Sequence, residues 1–301
     1  MLTLKTSKQT VTRFAFSADG ARLAVAGTGH KVHLWDLTAK KLRATVLPAF
    51  KNPVEFIGFR PDGTLFALST MGEYAVHDPA AGTTDSAALA RRGWVGDVVA
   101  EPDLSAFYGT GWQARKWAFD GTLREVWSVE VGGMKSGRGG AVLTPDGAFV
   151  AAVMANGIKT RLHTRDATTG ARRREQHLSP CLIRDLTLLP DGRLAFVRFQ
   201  EYQGKTPNAL VAGVAGGKFE VVHQAAGVAA FTALAPHPSG KWLAVGQDDG
   251  LVRTFETATW NEVSSHQWPV KPVAGLAFAP DGLKAAAGGD AGKVVVWDVD
   301  L

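Results

Sequence analysis

The chain has 301 residues, of which 46% are hydrophobic and 34 are glycine, and its formal net charge is +5. No apolar run approaches the ~18 residues of a membrane-spanning helix, which excludes a helical membrane protein. The single cysteine, Cys181, excludes an internal disulfide and a cysteine-based metal cluster. Because the sequence has neither an Asn-x-Ser/Thr acceptor nor an apolar leader after Met1, we predict a cytoplasmic protein with no membrane contact.

The first predicted element is a short strand at residues 2–6, and a three-residue turn then recurs at intervals of roughly 40–48 residues. Pro presets φ for such a turn, Asp bonds its own backbone two residues on, and Gly adopts the positive φ. Short apolar runs flank each turn, which predicts a hairpin. The turns are Ala18-Asp19-Gly20, Pro61-Asp62-Gly63, Pro102-Asp103-Leu104, Pro145-Asp146-Gly147, Pro190-Asp191-Gly192, Pro238-Ser239-Gly240 and Pro280-Asp281-Gly282.

Each repeat has room for four strands, here called a to d in chain order. The third run often ends in an aromatic and an acid, as at Trp35-Asp36 and Trp297-Asp298, and a more polar fourth run follows, for example at residues 172–178. One four-stranded unit cannot bury both of its faces, so neighbouring units must stack. We predict a single domain of blades with the approximate bounds 9–48, 49–90, 91–131, 132–178, 179–224, 225–266, and 267–301 plus 1–7.

These repeats resemble the WD-repeat β-propeller family, in which Trp-Asp closes strand c. The similarity is strongest at residues 14–20 with 32–36 and at residues 278–282 with 294–298. It implies an all-β, seven-bladed β-propeller with four antiparallel strands per blade. The Gly-His dipeptide that many family members carry before strand a is absent, and the candidate b–c turn aspartates are Asp248, Asp249 and Asp290. The richness in Ala, Gly and Arg indicates a divergent, bacterial member.

The last repeat ends at strand c and has no strand d of its own. The run at residues 2–6 precedes the first strand a and has no other partner. We therefore predict that this N-terminal strand closes the last blade and covers an otherwise open sheet edge.

The motif content does not indicate catalysis. No P-loop, zincin, nucleophile-elbow or kinase motif occurs. Residues 109–114 match the Gly-x-Gly-x-x-Ala spacing of dinucleotide sites, but they lie in a predicted b–c turn with no helix after it. We predict no catalytic residue, no cofactor and no metal site.

In a propeller the d–a and b–c connections share one face, here called the top face, and the repeated turns lie on the other. Binding residues concentrate on variable loops of a rigid scaffold, and Arg, Trp and Tyr dominate interface energetics. Trp94 could equally pack between blades, whereas Trp112 is expected to be exposed in a tight turn. The predicted partner-binding residues are Arg91, Arg92, Trp94, Trp112, Lys135, Arg138, Tyr202, Lys205, Trp268 and Lys271.

A second candidate site is the mouth of the central channel, where the blades' first strands meet. Aligning the turns places Arg13, Glu55, Asp97, Arg184 and Asp185 there. Three carboxylates suit a hard cation, but Ca²⁺ takes about six oxygen ligands, so pairing with the arginines is the favoured interpretation.

The sequence thus predicts a non-catalytic, monomeric scaffold whose top face binds another protein or a peptide segment. Two alternatives stay open: an enzyme or a ligand or metal binder at the channel mouth, and a weak binder of nucleic acid through the basic top rim. Three consecutive arginines, Arg172, Arg173 and Arg174, open a predicted outer strand, where charge protects a sheet edge from pairing. Nucleic acid is therefore the less favoured partner.

Overall fold

The computed structural model describes residues 1–6, 8–46, 50–89, 93–131, 140–155, 159–180, 182–199, 208–224 and 229–300. These residues form β-strands and one 3-10 turn. The strands are β1 (Leu2–Lys5), β2 (Val11–Phe16), β3 (Arg22–Gly27), β4 (Val32–Asp36), β5 (Lys41–Val46), β6 (Val54–Phe59), β7 (Leu65–Ser69), β8 (Glu73–Asp78), β9 (Thr83–Ala88), β10 (Val95–Ala100), β11 (Ala106–Gly111), β12 (Gln113–Phe119), β13 (Leu123–Glu130), β14 (Ala141–Leu143), β15 (Ala148–Ala155), β16 (Lys159–Asp166), β17 (Arg172–Pro180), β18 (Leu182–Leu188), β19 (Leu194–Phe199), β20 (Ala209–Gly213), β21 (Phe219–Gln224), β22 (Phe231–Pro236), β23 (Trp242–Gln247), β24 (Leu251–Glu256), β25 (Glu262–Gln267), β26 (Val273–Phe278), β27 (Lys284–Gly289) and β28 (Lys293–Asp298). The 3-10 turn spans Asp290–Gly292.

The repeated turns connect strand a to strand b in every blade. In each, the N–H of the third turn residue donates to a carbonyl three residues earlier, for example Gly63 N to Arg60 O at 2.9 Å. The Asp62 carboxylate accepts the N–H of Thr64 at 2.9 Å, which is the bond expected of an aspartate at this position. The third residue adopts a positive φ even at Leu104 (56°), the one turn in which it is not glycine.

The strands form seven four-stranded antiparallel sheets, so the fold is the predicted all-β, seven-bladed β-propeller. Six sheets consist of four consecutive strands, from β2-β3-β4-β5 to β22-β23-β24-β25. Strand b is mostly buried, as in β7, where all five residues are buried, whereas strand d is largely exposed, as in β25. In the described residues no helix has the length and apolar character of a membrane span.

The chain divides into two compact units, and the first comprises Met1–Gly93 and Ala235–Leu301. Its seventh sheet has the order β1-β28-β27-β26, which confirms the prediction that the N-terminal strand completes the last blade. Leu2 lies opposite Val296 and Leu4 opposite Val294. Leu4 is only 2% exposed and packs in a core cluster with Val294 and Val296, which explains why this short strand is held.

The second unit comprises Trp94–Leu234. Its core includes a cluster that joins residues of β11 and β15 and another that joins residues of β15, β16 and β19. Tyr108, Trp127 and Phe149 form an aromatic group in the first, with ring centroids 5.7–6.5 Å apart. This packing gives rigid support to the turns at the ends of β11 and β12.

Bulges interrupt five of the described inner strands close to their first residues. The extra residue lies between Val11 and Arg13 in β2, and equivalent shifts occur in β6, β10, β18 and β26. A bulge bends a strand and redirects its side chains. It therefore sets the direction of the residues predicted at the channel mouth.

Candidate functional site

Trp112 is the most exposed aromatic residue of the described chain. It occupies the single position between β11 and β12, on a predicted b–c turn, and 75% of its surface is open to solvent. Its neighbours are fixed, since Gly111 pairs with Val95 and Gln113 pairs with Glu130. An indole is thus presented by rigid backbone, on the face where the sequence predicts binding.

Trp94 lies next to this turn but is half-buried. Its ring covers Gly96, where a Cβ atom would come within 2.7 Å of the indole carbons. Its carbonyl approaches Gly111 so closely that a Cβ there would lie 2.2 Å from the oxygen. Trp94 therefore packs against the base of the Trp112 turn and supports it.

Six of the predicted top-face residues lie outside the described residues, namely Arg91, Arg92, Lys135, Arg138, Tyr202 and Lys205.

Trp268 and Lys271, the remaining two, lie in the connection before β26. The Trp268 ring stacks on His266 and contacts Trp297, with centroids 5.4 and 5.1 Å apart. The backbone N–H of Trp268 donates to Gly250 O at 3.0 Å, which ties this connection to the turn after β23. Trp268 thus contributes packing, whereas Lys271 points to solvent.

Lys271 lines a groove in the first unit that the sequence did not predict as a whole. The other lining residues are Pro269, Asp290, Ala291 and Lys293, and the groove has a volume of about 310 Å³. One wall is the connection before β26, and the other is the b–c turn between β27 and β28. Sequence analysis identified Lys271 and Asp290 separately but had no signal that joined them to Lys293.

The channel-mouth residues of the first unit form an ion pair. Arg13 Nη2 donates to Glu55 Oε1, and Arg13 Nε donates to the Glu55 backbone carbonyl at 2.6 Å. Glu55 is buried, and Arg13 also contacts the carbonyl of Thr12 at 3.3 Å. This carboxylate is thereby neutralised by a direct partner on the adjacent inner strand.

The channel-mouth residues of the second unit are also engaged. Asp185 accepts the backbone N–H of Leu186 at 2.9 Å and of Leu234 at 2.8 Å, which links β18 to the next inner strand. The Arg184 guanidinium lies over the Phe199 ring at 3.7 Å from its centroid. Asp97 occupies a bulge with a φ of 46°.

Metal-binding side chains do not gather at these positions. Across the described ranges, no group of three or more His, Cys, Asp and Glu side chains is arranged to hold a metal ion.

In the first unit, the carboxylate of the top-face residue Glu73 forms hydrogen bonds within the protein. Glu73 Oε2 accepts from the Lys51 N–H, the Asn52 side-chain amide and the Ser69 hydroxyl, each at 3.2 Å. The Ser69 hydroxyl in turn accepts the N–H of Glu73 at 3.0 Å. These polar groups fix the connection before β6 and are not available for a partner.

The comparisons with known proteins agree with this architecture. The family model described as WD40: WD domain, G-beta repeat matches residues 1–36, 220–256 and 261–298. Over these three segments the chain matches the repeat of the WD-repeat β-propeller family. The matched WD-repeat segments include both blades in which the sequence similarity is strongest.

Two solved structures share the fold at low sequence identity. The first is Hydrazine Synthase of Kuenenia stuttgartiensis, with a TM-score of 0.80, 18% identity, and 98% of this chain and 97% of that chain covered. The second is the β-propeller domain of Cps50 (Swd1) of Myceliophteria thermophila, with a TM-score of 0.75, 14% identity, and 99% and 100% covered. No curated protein matches the sequence significantly. At such identities the likeness shows the fold alone.

The fourth blade departs from the WD-repeat pattern in a way that sequence analysis missed. Arg165 occupies the position that Trp35 and Trp297 hold in their blades, and it is buried. Its guanidinium donates to Gly170 O at 3.0 Å and to Glu130 O at 3.2 Å. A cation bonded to backbone carbonyls thus replaces the indole here.

Proposed function

We propose that this WD-repeat propeller is a non-catalytic scaffold that binds another protein or a peptide segment through its top-face loops. The observation that carries the proposal is the exposure of Trp112 on a turn with buried flanks. An indole exposed to water lacks the large favourable free energy that its burial would provide. Trp is also enriched among the residues that dominate binding. A rigid, exposed Trp therefore favours an interaction surface.

The channel-mouth geometry supports this proposal over catalysis. Glu55 and Asp185 bond to an arginine or to backbone N–H groups, and Arg184 stacks on a ring. Such contacts stabilise charged groups in fixed structural roles. We propose accordingly that the protein needs no cofactor, acts in the cytoplasm and is not an enzyme.

A crosslinking experiment tests the proposal. A photoreactive phenylalanine analogue is placed at Trp112 in one variant and at Val214 in another; Val214 is 55% exposed in the turn after β20, on the opposite face of the same unit. We expect a discrete adduct with one protein from a native extract at position 112 and none at position 214. In a pull-down without the photoreactive residue, Trp112→Ala should capture about tenfold less of the partner protein than the wild type, whereas Val214→Ala should capture as much as the wild type.

Equal labelling at both positions, or unchanged capture by Trp112→Ala, would refute binding through this turn. Circular dichroism and thermal unfolding of each variant establish that the blades remain folded.

A further inference from the structure

We propose that the groove lined by Pro269, Lys271, Asp290, Ala291 and Lys293 binds an acidic peptide segment of a partner protein. The inference rests on the proposed scaffold function and names the partner chemistry for a second part of the top face. It concerns the first unit only, whereas Trp112 belongs to the second.

The wall at Asp290–Gly292 is held by the N-terminal segment. Gly292 donates its N–H to Gln9 O at 2.9 Å, and its carbonyl accepts the Thr6 N–H at 2.9 Å and the Thr6 hydroxyl at 3.1 Å. The Thr10 hydroxyl donates to Asp290 Oδ1. This wall is therefore set before a ligand arrives, which lowers the entropic cost of binding.

The opposite wall is held by buried packing. Val270 is fully buried between Pro269 and Lys271 and belongs to a core cluster with Val273 and Val295. Its fixed position holds the exposed Lys271 at the groove. Both walls are thus rigid, and the volume of about 310 Å³ between them is large enough for a few side chains of an extended peptide.

The charge of the groove is unbalanced. Lys271 and Lys293 are exposed, and neither forms an ion pair with any residue in the described part of the chain. Lys5 lies directly opposite Lys293 across the β1–β28 pair and is likewise unpaired among the described residues. Like charges directly opposite each other on a sheet are destabilising. A carboxylate bound next to Lys293 in the groove would reduce that repulsion.

The rest of the lining favours a peptide over a nucleic acid. Pro269 on one wall and Ala291 on the other give the groove apolar surface, and Asp290 contributes a carboxylate whose Oδ1 already accepts from Thr10. The Asp290 carboxylate repels anionic groups of either ligand, but it can accept a backbone N–H from a peptide, and a sugar-phosphate backbone has no such donor. Nucleic-acid sites combine several phosphate-binding cations with stacking platforms, and this lining contains two lysines and no aromatic ring.

The test measures fluorescence anisotropy of a labelled short peptide of alternating Glu and Ala at low salt. Its controls are the peptide with Gln in place of Glu and an oligothymidine of equal charge. We expect the Glu peptide to bind, with at least about tenfold weaker binding in Lys271→Glu/Lys293→Glu. Lys241→Glu introduces the same charge at an exposed turn on the other face of this unit and should change the affinity by less than about twofold.

A stability measurement separates a ligand role from a structural one. Because Lys293→Glu places an acid opposite Lys5, it should raise the melting temperature by about 1–2 °C while it weakens peptide binding. The groove proposal is overturned if the Glu peptide binds no better than the Gln peptide, if the double variant binds normally, or if oligothymidine binds more tightly. Crosslinking at Trp112 would then still report on the scaffold function independently.

Discussion

His163 occupies an unusual environment for a histidine in the fourth blade. It is 5% exposed, lies opposite Glu175 on β17, and has Arg161 and Arg165 on either side of it along β16. Neither ring nitrogen has a hydrogen-bond partner among the described residues. Burial lowers the pKa of His163 below its ordinary value, and the three arginines Arg165, Arg161 and Arg172 act in the same direction against the opposing effect of Glu175.

This depressed pKa predicts an acid-sensitive contribution to stability. Above the unfolded-state value near 6.5 the ring is neutral in both states, and the stabilising contribution is fully present. As the pH falls below that value, the unfolded chain takes up a proton first, so the contribution is lost on approaching the folded-state pKa. His163→Gln should therefore lose less free energy of unfolding than the wild type between about pH 7 and pH 5.

The measurement is urea unfolding at several pH values, with the exposed His30→Gln as the control. The pKa values of His33 and His77 are also lowered by burial, but both residues are present in every variant and cancel from the comparison. Parallel pH profiles for the wild type and His163→Gln would contradict the assignment.

At the scale of single elements, β1 has an effect larger than its four residues suggest. It supplies the outer strand of the last sheet, buries Leu4 and positions Thr6 next to the Asp290–Gly292 turn. Its side chains alternate, so Leu4 faces the core and Thr3 faces solvent. The strand can therefore be tested with substitutions of opposite expected effect.

Leu4→Ala should reduce the free energy of unfolding by about 2–3 kcal/mol, because it removes buried methyl groups from the cluster with Val294 and Val296. Thr3→Ala should reduce the free energy of unfolding by less than about 0.5 kcal/mol.

Deletion of residues 1–7 should lower the melting temperature by several degrees or cause aggregation, because it exposes the β28 edge. Thermal and denaturant melts measure all three. A truncated chain that melts like the wild type would show that β1 is dispensable.

Much of the element order could be predicted because it depends on local chemistry. The Pro-Asp-Gly turns and the strand-c endings are encoded by neighbouring residues, and the open last blade follows from counting strands. The bulges could not be predicted, since their extra residues, Thr12, Glu55, Arg184 and Ala274, share no chemical property. The positive φ of Leu104 could not be predicted either, because leucine rarely adopts this conformation.

The candidate site was less predictable, because it depends on contacts between residues that are distant in the sequence. Trp112 was expected to be exposed because it stands alone between two strands, and the structure agrees. The groove brings together residues 269–271 and 290–293 and is steadied by residues 6–10, so no local pattern contains it. Trp268 was predicted to bind a partner, but its ring packs against His266 and Trp297, and no local pattern around residue 268 indicates these contacts.

At the scale of the whole molecule, the outer strands favour a monomer. Several of those described carry exposed arginines, including Arg43 on β5, Arg124 on β13 and Arg172 on β17, and charged edge strands resist pairing with another copy. We expect light scattering after gel filtration to give the mass of one chain, 31.9 kDa, over a wide concentration range. A mass that rises with concentration would contradict this, and replacing residues 172–174 with threonine should promote such a rise.

The pairing of β1 with β28 also bears on how the chain could be rewired. Leu2 lies opposite Val296, so a short engineered hairpin could join the end of β28 to the start of β1. New ends could then be opened in the turn between Asp78 and Thr83, which joins β8 to β9. Such a circular permutant would complete the β6–β9 sheet with strands from both ends, as β1 now completes the last one. The position of the chain ends in the sequence thus determines which blade is completed by strands from both ends.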